Sequence, residues 1–369
     1  MKDRVLRIFR QLSPAPDAIV FLNSIDPHLD QSFFYAFDVP SGLFEGSAAI
    51  ALPDGSLHIS TSPLEEESAR QAAKHDPHVD VHLVKTTEDR KKWLARMLGE
   101  YAKLGLNFHE LTHEDFLALT TAAPNSTHTD VSAAVRKARR VKDEREIARI
   151  REAARIGSVV GEEIPKLLRK GMTEFELAAE IEYRMMKQGA SGRSFSTIVG
   201  FGAHSAEPHY SPGATKLEPG MSIVCDFGAF YQRYASDITR SFRFGPVDPE
   251  LKKVHEKVEE AQQAAFAAVK AGAPGKAVHL AAQKVIDASP WKGRFTHGVG
   301  HSIGLAVHDG YGMGEMTEDP LETGMAITIE PGIYLPGRGG VRIEDDVLVT
   351  EKGFEHLTTT RRGYLEVPG

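Results

Sequence analysis

Apolar and polar positions alternate most clearly between residues 221 and 244, in MSIVCDFGAFYQRYASDITRSFRF. An apolar strand over 222–227, a polar and aromatic tip, and an alternating strand over 236–242 predict a β-hairpin. A turn centred on Tyr231 and Gln232 would place Asp226 and Asp237 directly opposite each other on one face. Like charges about 4.5–5.5 Å apart are destabilising. Either one carboxyl group therefore stays protonated, or a cation lies between the two.

A second hairpin with the same arrangement is predicted near the C-terminus, in TIEPGIYLPGRGGVRIEDDVLVT. Glu330 and Glu344 are symmetric about Gly337, and the glycine-rich segment LPGRGG is typical of a tight turn. The two hairpins therefore present two pairs of carboxylates.

The first 134 residues combine short apolar runs with amphipathic stretches. AIVFLN, FFYAF, SAAIAL, SLHIST and VDVHLV are predicted to be strands, and a Pro-Asp-Gly turn joins the third to the fourth. Helices are predicted at the N-terminus, from a capping box at 62–65 to about residue 74, over about 87–104 and over about 114–121. Strands alternating with helices indicate an α/β domain with a mixed sheet.

A charged helical run begins at about residue 132, and this change of composition sets a predicted domain boundary at 134/135. Further helices over about 173–187, 249–270 and 276–288 lie around the two hairpins. The order of two helices, a strand pair, two helices and a strand pair indicates an α+β domain over 135–369 with an internal pseudo-repeat. Such a repeat would bring both hairpins into one sheet, with the helices on the other face.

Bulk composition narrows the class of protein. The 369 residues are 41% hydrophobic and 26% charged, as in soluble globular proteins. A net charge of -7 argues against nucleic acid held through phosphate contacts. The single cysteine, Cys225, excludes an intrachain disulfide, and no apolar run reaches the ~20 residues that span a membrane. The N-terminus lacks the apolar core of a secretory signal, so a cytoplasmic protein with no membrane partner is expected.

The segment between the hairpins, THGVGHSIGLAVHD, adds His297, His301 and His308 to the four acids. Four carboxylates with at least one imidazole form an oxygen-rich ligand set. Such a set is more typical of Mn²⁺ or Co²⁺ than of a zinc site, whose ligands would be all thiolates or all imidazoles. Four negative charges also match two divalent cations. These residues predict a metal site without choosing among the histidines.

Four motifs follow one another in the second half: DFGAFYQRYASDITR, HGVGHSIGLAVHD, TIEPGIY and GVRIED. They resemble the motifs of the pita-bread-fold metallopeptidases, which include methionine aminopeptidase, prolidase and aminopeptidase P. The N-terminal half resembles the creatinase-type domain of the prolidase and aminopeptidase P branch. The resemblance implies a creatinase-like α/β domain over 1–134 and a pita-bread catalytic domain over 135–369.

The resemblance also implies a dinuclear metal centre whose ligands are Asp226, Asp237, His301, Glu330 and Glu344. Two divalent ions, Mn or Co in the first place and Zn as a further option, would share a bridging hydroxide that attacks the scissile carbonyl. Glu330 is the family's usual base. The implied activity is hydrolysis of Xaa-Pro bonds in short peptides or dipeptides by a homodimer, as an Xaa-Pro dipeptidase or an Xaa-Pro aminopeptidase.

Four further residues match positions of the family's site around the substrate and behind the ligands, and strand alternation adds a fifth. His209 matches a substrate-side histidine, and His308 matches the histidine that stabilises the tetrahedral intermediate. His297 matches a histidine near the proline-binding end, where it would bind substrate and take part in catalysis. Tyr334 matches a tyrosine behind the ligands. Arg342 shares a strand face with Glu344 by alternation and is placed to orient that carboxylate or the substrate.

Two departures from the family's motifs leave the ligands intact. His204 and Asp309 stand where relatives commonly carry asparagine and glutamate. A creatinase-like amidinohydrolase works without metal and has lost several of the five ligands. A catalytically silent pita-bread module that binds peptides or proteins has also lost ligands. Because all five are kept here, the sequence favours the peptidase over both alternatives.

Overall fold

A mixed six-stranded sheet organises the N-terminal unit, Met1–Arg139. Its strands are β1 (Ala18–Leu22), β2 (Ala48–Ala51), β3 (Leu57–Thr61), β4 (Val79–Leu83), β5 (Lys103–Leu106) and β6 (Thr127–Asp130). The helices are α1 (Lys2–Phe9), α2 (Gln31–Phe37), α3 (Glu66–Ala73), α4 (Thr87–Leu98) and α5 (His113–Ala122). The strand order is β4-β3-β2-β1-β5-β6, antiparallel at β1–β2 and β2–β3 and parallel elsewhere. The predicted α/β class with a mixed sheet is confirmed.

The prediction of a strand for FFYAF is wrong, because this segment lies in α2. The carboxylate of Asp30 accepts a hydrogen bond from the Ser32 N–H at 2.7 Å and caps the first turn. The helix ends at Asp38, whose φ of 54° is left-handed. A short apolar run that is buried on all sides fits a helix as well as a strand, so periodicity alone does not separate them.

Two helix boundaries in this unit also differ from the prediction. The carboxylate of Glu65 accepts from the backbone N–H groups of Leu43 and Phe44 at 3.0 and 3.1 Å, so it does not form the predicted capping box. The helix predicted over 87–104 ends at Leu98, and β5 follows it. β5 pairs with β1 and β6, and this tertiary pairing overrides the local helical spacing.

The C-terminal unit, Arg140–Gly369, begins at the last residue of α6 (Ser132–Arg140). The predicted boundary at 134/135 lies within this helix. Its helices are α7 (Glu144–Leu167), α8 (Glu174–Lys187), α9 (Pro249–Ala268) and α10 (Gly275–Asp287). Its strands are β7 (Gly192–Arg193), β8 (Ile198–Phe201), β9 (Met221–Phe227), β10 (Ala229–Tyr231), β11 (Tyr234–Ala235), β12 (Ile238–Phe244), β13 (Gly300–His301), β14 (Gly312–Met313), β15 (Ala326–Ile329), β16 (Gly332–Leu335), β17 (Gly339–Arg342), β18 (Asp345–Thr350), β19 (Gly353–His356) and β20 (Leu365–Val367). The computed structural model describes residues 1–246, 248–363 and 365–368.

The register of the first hairpin differs from the predicted one. Asp226 of β9 lies opposite Thr239 of β12, and the next strand pair, β10 with β11, keeps the same register up to a turn at Gln232 and Arg233. Both turn residues have positive φ, 45° and 74°, so the turn is centred one residue later than predicted. Asp237 is therefore diagonal to Asp226 rather than opposite it. It keeps the same face, because moving the turn by one residue moves each cross-strand partner by two.

The second hairpin has the predicted register, but it does not share a sheet with the first. Ile329 pairs with Asp345 in the β15–β18 ladder and Gly332 pairs with Arg342 in the β16–β17 ladder, so the two glutamates between them are opposite each other. Proline at 331 has no N–H to continue the ladder. The prediction of one sheet is wrong, because the hairpins belong to separate hydrogen-bonded sheets.

One backbone hydrogen bond nevertheless brings the two hairpins together. The Glu344 N–H donates to the carbonyl oxygen of Thr239 at 3.1 Å. Each half of the unit has its own hydrophobic core, with α7 and α8 on β8, β9 and β12 and with α9 and α10 on β15 to β18. This arrangement confirms the α+β class with an internal pseudo-repeat. Cys225 belongs to the first core, where burial raises the pKa of its thiol, as expected of a structural cysteine.

No helix in the described part of the chain is both long enough and apolar enough to cross a bilayer.

Candidate metal centre

A cavity of about 610 Å³ in the C-terminal unit is lined by nine of the ten predicted site residues. The nine are His209, Asp226, Asp237, His297, His301, His308, Glu330, Arg342 and Glu344. They come from the two hairpins, from the segment between the hairpins and from the loop after β8. Apolar side chains, among them Phe195, Ile198, Val307 and Met313, complete the wall. The cavity is therefore lined by both charged and apolar side chains.

Three of the predicted ligands form a compact cluster at this cavity. Asp237, His301 and Glu344 each offer one ligand atom, and these atoms lie within 4.8 Å of one another. The Nε2 atom of His301 is 3.6 Å from Oδ2 of Asp237 and 3.5 Å from Oε1 of Glu330. Of the three candidate histidines, His301 is thus the one within the cluster, and Glu330 lies beside it.

Several buried carboxylate oxygens at the cavity have no donor among the described residues. They are Oδ1 of Asp226, Oδ1 of Asp237 and Oε1 of Glu344. Buried polar atoms without a partner are rare, and a bound ion can supply the missing partner. The available donors are carboxylate oxygens and one imidazole nitrogen, a set that suits divalent cations such as Mn²⁺ or Co²⁺. The residues present therefore fit a divalent metal centre.

Burial and mutual repulsion raise the pKa values of three of the predicted ligands, Asp237, Glu330 and Glu344. The pKa values of Asp237 and Glu344 lie well above the usual range, mainly because both carboxyl groups are buried and secondly because other acids surround them. Burial raises the pKa of Glu330 to about 8, although Arg342 opposes this shift. Burial lowers the pKa of His301 to about 3, so its ring is neutral and has a nitrogen free to bind metal.

A single guanidinium group orients two of the acids. Arg342 donates from Nη2 to Oδ2 of Asp226 at 2.6 Å and from Nε to Oγ1 of Thr239 at 3.1 Å. Thr239 in turn donates to Oε2 of Glu344 at 2.7 Å. These bonds engage one oxygen of each carboxylate and leave the other toward the cluster. Arg342 also donates from Nη1 to the Tyr334 hydroxyl at 3.0 Å.

Tyr334, the tenth predicted residue, does not line the cavity and instead connects Arg342 to His297. Its hydroxyl lies 2.8 Å from Nε2 of His297, and the His297 Nδ1 atom lies 2.8 Å from the carbonyl oxygen of Gly298. Burial lowers the pKa of His297 to about 4. A carbonyl oxygen only accepts, so Nδ1 carries the proton and Nε2 accepts from Tyr334. Both ring nitrogens of His297 are therefore engaged.

His209 and His308 occupy the exposed side of the cavity. The ring of His308 lies 4.2 Å from the ring of His301, centroid to centroid. Partial burial lowers the pKa of His308, with a further contribution from His209. Both side chains are thus placed where a bound molecule would meet them before it reached the acids.

Sequence reasoning missed two residues that hold the ligands. Thr239 links Arg342 to Glu344, and Asp346 accepts the N–H of Asp237 through Oδ2 at 2.9 Å. Each lies two residues after a predicted ligand in the sequence. Side chains two residues apart on a strand point to the same face, so strand alternation could have identified both residues from the sequence.

Comparison with known families matches both units of the chain. Residues 148–351 match the description "Metallopeptidase family M24", and residues 30–141 match "Creatinase/Prolidase N-terminal domain". The chain belongs to metallopeptidase family M24. This result confirms the resemblance drawn from the four motifs and from the N-terminal half.

Individual relatives agree with this family. An uncharacterized peptidase of Staphylococcus aureus (strain USA300) is 39% identical over 229 residues, which are 62% of this chain and 65% of that protein. An Xaa-Pro dipeptidase from Bacillus anthracis has a similar structure, with a TM-score of 0.89, 31% identity and coverage of 99% of both chains. An X-Pro aminopeptidase from Thermotoga maritima MSB8 is also similar, with a TM-score of 0.87 and 33% identity, and the match covers 98% of this chain and 100% of that one. The creatinase-like and pita-bread folds are thereby confirmed.

Proposed function

We propose that the chain is a metal-dependent exopeptidase that hydrolyses Xaa-Pro bonds, as an Xaa-Pro dipeptidase or an Xaa-Pro aminopeptidase. The observation that carries the proposal is the composition of the cavity. Buried carboxylates, several with an oxygen that has no hydrogen-bond donor among the described residues, lie around His301 and next to two exposed histidines. Similarity to a protein named Xaa-Pro dipeptidase and to one named X-Pro aminopeptidase supports the substrate class.

Five side chains, Asp226, Asp237, His301, Glu330 and Glu344, would hold two divalent ions. Four carboxylates balance four positive charges, and oxygen-rich ligation favours Mn²⁺ or Co²⁺, with Zn²⁺ as an alternative. When bound, such ions lower the pKa of water and stabilise negative charge on the oxygen of the scissile carbonyl.

The remaining groups of the cavity would bind the peptide and move its protons. Glu330 would accept the proton of the attacking water through a carboxylate oxygen, because bound cations would oppose the rise in its pKa that burial causes. The nitrogen of the scissile bond belongs to proline, has no N–H and must be protonated before it leaves, and Glu330 would return that proton. His209 and His308 donate hydrogen bonds to the peptide from the exposed side.

His297 and Tyr334 have a different place in this scheme. Both ring nitrogens of His297 are bonded, to Tyr334 and to the Gly298 carbonyl. His297 then lines the cavity and contacts the substrate by packing of its ring, because neither ring nitrogen is free to form a hydrogen bond with the substrate. The catalytic role that the resemblance implies for it stays a prediction, as do the homodimer and the cytoplasmic location.

A hydrolysis assay tests the function. The purified protein is stripped with a chelator, reloaded with Mn²⁺, Co²⁺ or Zn²⁺, and given Ala-Pro, Ala-Pro-Ala and Ala-Ala. We expect metal-restored cleavage of the proline peptides alone, and the ratio of dipeptide to tripeptide rates then separates dipeptidase from aminopeptidase. Asp237→Ala, the control, should lose bound metal and cleavage together.

Two outcomes would contradict the proposal. Cleavage by the stripped protein would exclude the metal-dependent mechanism. A metal-loaded protein that cleaves none of the three peptides would favour the silent binding module.

A further inference from the structure

Glu174, the first residue of α8, buries its carboxylate completely and uses both oxygens. Oε1 accepts from the Phe201 N–H at 2.9 Å and lies 2.9 Å from Nδ1 of His204. Oε2 accepts from the Tyr210 hydroxyl and from the Gly213 N–H, each at 2.9 Å. Four partners thus converge on one side chain that the proposed chemistry does not use.

These four partners lie on both sides of His209 in the sequence. The His209 side chain lines the cavity and has no hydrogen-bond partner among the described residues. Its location therefore depends on its own segment, 201–213. Within that segment the His204 ring stacks on the Tyr210 ring at 4.3 Å, and the Glu207 N–H donates to the His204 carbonyl at 3.0 Å.

The backbone of this segment is adapted to the carboxylate. A Cβ atom at Gly213 would lie 3.1 Å from Oη of Tyr210 and 3.3 Å from Oε2 of Glu174. Glycine at this position therefore leaves room for both groups. A buried carboxylate is unfavourable unless donors surround it, and hydrogen bonds to a charged acceptor are stronger than neutral ones. Loss of the charge should loosen the segment on both sides of His209 at once.

We propose that Glu174 is a positioning residue that fixes His209 against the cavity by holding both ends of segment 201–213. This role rests on the proposed function only in so far as His209 meets a peptide substrate. Glu174 itself touches neither the substrate nor the metal ligands.

The kinetic test uses the metal-loaded enzyme and the variant Glu174→Gln, with Glu176→Gln as the matched control. Glu176 is an exposed acid in the same helical turn, and its carboxylate caps the Thr173 N–H. We expect Glu174→Gln to keep its metal content and to lose between about tenfold and 10²-fold in kcat/KM on Ala-Pro, the scale of a misplaced group. Glu176→Gln should match the wild type.

A double variant distinguishes positioning of His209 from a general structural role. If Glu174 acts through His209, then Glu174→Gln in a His209→Ala background should lower kcat/KM by less than about twofold further. Losses that multiply in the double variant would overturn the proposal. Should Glu174→Gln not fold, Tyr210→Phe, which removes one of the four donors, takes its place with the same expectation.

Hydrogen exchange gives a readout that needs no activity. In the metal-loaded protein, backbone amides within 201–213 should exchange faster in Glu174→Gln than in wild type or Glu176→Gln, with α9 and α10 unchanged. Unchanged exchange in this segment, or faster exchange throughout the unit, would overturn the proposal. If the wild type cleaves no Xaa-Pro peptide, the proposed function fails, whereas the exchange result still decides how Glu174 acts.

Discussion

Arg342 shows how one buried side chain sets the geometry of the candidate centre. Its planar guanidinium group carries five N–H donors in a fixed arrangement and contacts Asp226, Thr239 and Tyr334 at once. Through Thr239 it also controls Glu344. The rotamers of two proposed ligands on different hairpins are thus fixed before any ion binds, and this arrangement lowers the entropy cost of binding.

We predict that Arg342→Lys weakens metal binding by about 10–100-fold, as loss of a group that orients metal ligands typically does. A lysine ammonium group cannot contact three partners in one plane. The dissociation constant is measured by competition with a chelator. Arg338→Lys is the control, because Arg338 lies on the same hairpin but is exposed and pairs with Asp248 and Glu250. Equal metal affinity in the two variants would contradict the role given to Arg342.

At the scale of elements, the site depends on a close approach of β13 to β15. A Cβ atom at Gly300 would lie 2.0 Å from the carbonyl oxygen of Thr328. The His301 N–H donates to Oγ1 of Thr328 at 3.1 Å, and the Glu330 N–H donates to the Val299 carbonyl at 2.8 Å. These bonds place His301 and Glu330 side by side, so only glycine at 300 permits the arrangement.

We therefore expect Gly300→Ala to lower the free energy of unfolding by about 1–3 kcal/mol and to reduce bound metal, since the new methyl group must push β13 from β15. Urea unfolding and metal analysis measure the two effects. Gly312→Ala is matched to it: Gly312 lies opposite His301 in the β13–β14 ladder and has open space at its Cβ position. Similar losses in both variants would show that any alanine in this ladder is harmful.

Turn chemistry decided how well the elements were predicted from sequence. The segment LPGRGG defined the turn of the second hairpin, and the register of Glu330 and Glu344 was correct. The first turn contains no glycine: Gln232 and Arg233 adopt positive φ without one, and the predicted centre was one residue early. Asp226 and Asp237 still share a face, because the cross-strand partner of Asp226 changed by two residues and side chains two residues apart on a strand point to the same face.

Contacts that depend on tertiary packing gave no signal in the sequence. The hydrogen bonds that Tyr210 and Gly213 donate to Glu174 form only because α8 packs against the loop after β8. The four acids and His301 were predictable because strand alternation and known motifs carry that information locally. The apolar run FFYAF shows the opposite case, because its burial on all sides removes the periodicity that distinguishes helix from strand.

At the scale of the whole molecule, several histidines are held neutral by burial. Burial lowers the pKa values of His255, His279, His297 and His301 below that of a free histidine. A neutral native ring gains no proton on mild acidification, whereas the same ring in the unfolded chain does. The unfolded state then binds more protons, so acid favours unfolding.

His255 allows this effect to be measured apart from the candidate centre. It lies in α9, is 3% exposed, and its Nε2 atom is 3.0 Å from the Arg362 carbonyl oxygen. Burial lowers its pKa to about 4, and nearby Arg243 and Arg240 lower it further. Its contribution to stability is therefore complete above the unfolded pKa of about 6.5 and is lost as the pH falls toward 4.

We predict that His255→Gln loses less stability on acidification than the wild type does. Between pH 7.5 and 4.5 the wild type should lose about 2–3 kcal/mol more unfolding free energy, because glutamine can still donate to the Arg362 carbonyl but does not titrate. Urea unfolding at the two pH values measures the difference, and effects of metal ligation cancel because both proteins share them. His109→Gln, at an exposed histidine, should behave like the wild type. Equal acid-induced losses in His255→Gln and the wild type would mean that the His255 ring becomes protonated in the native state without cost.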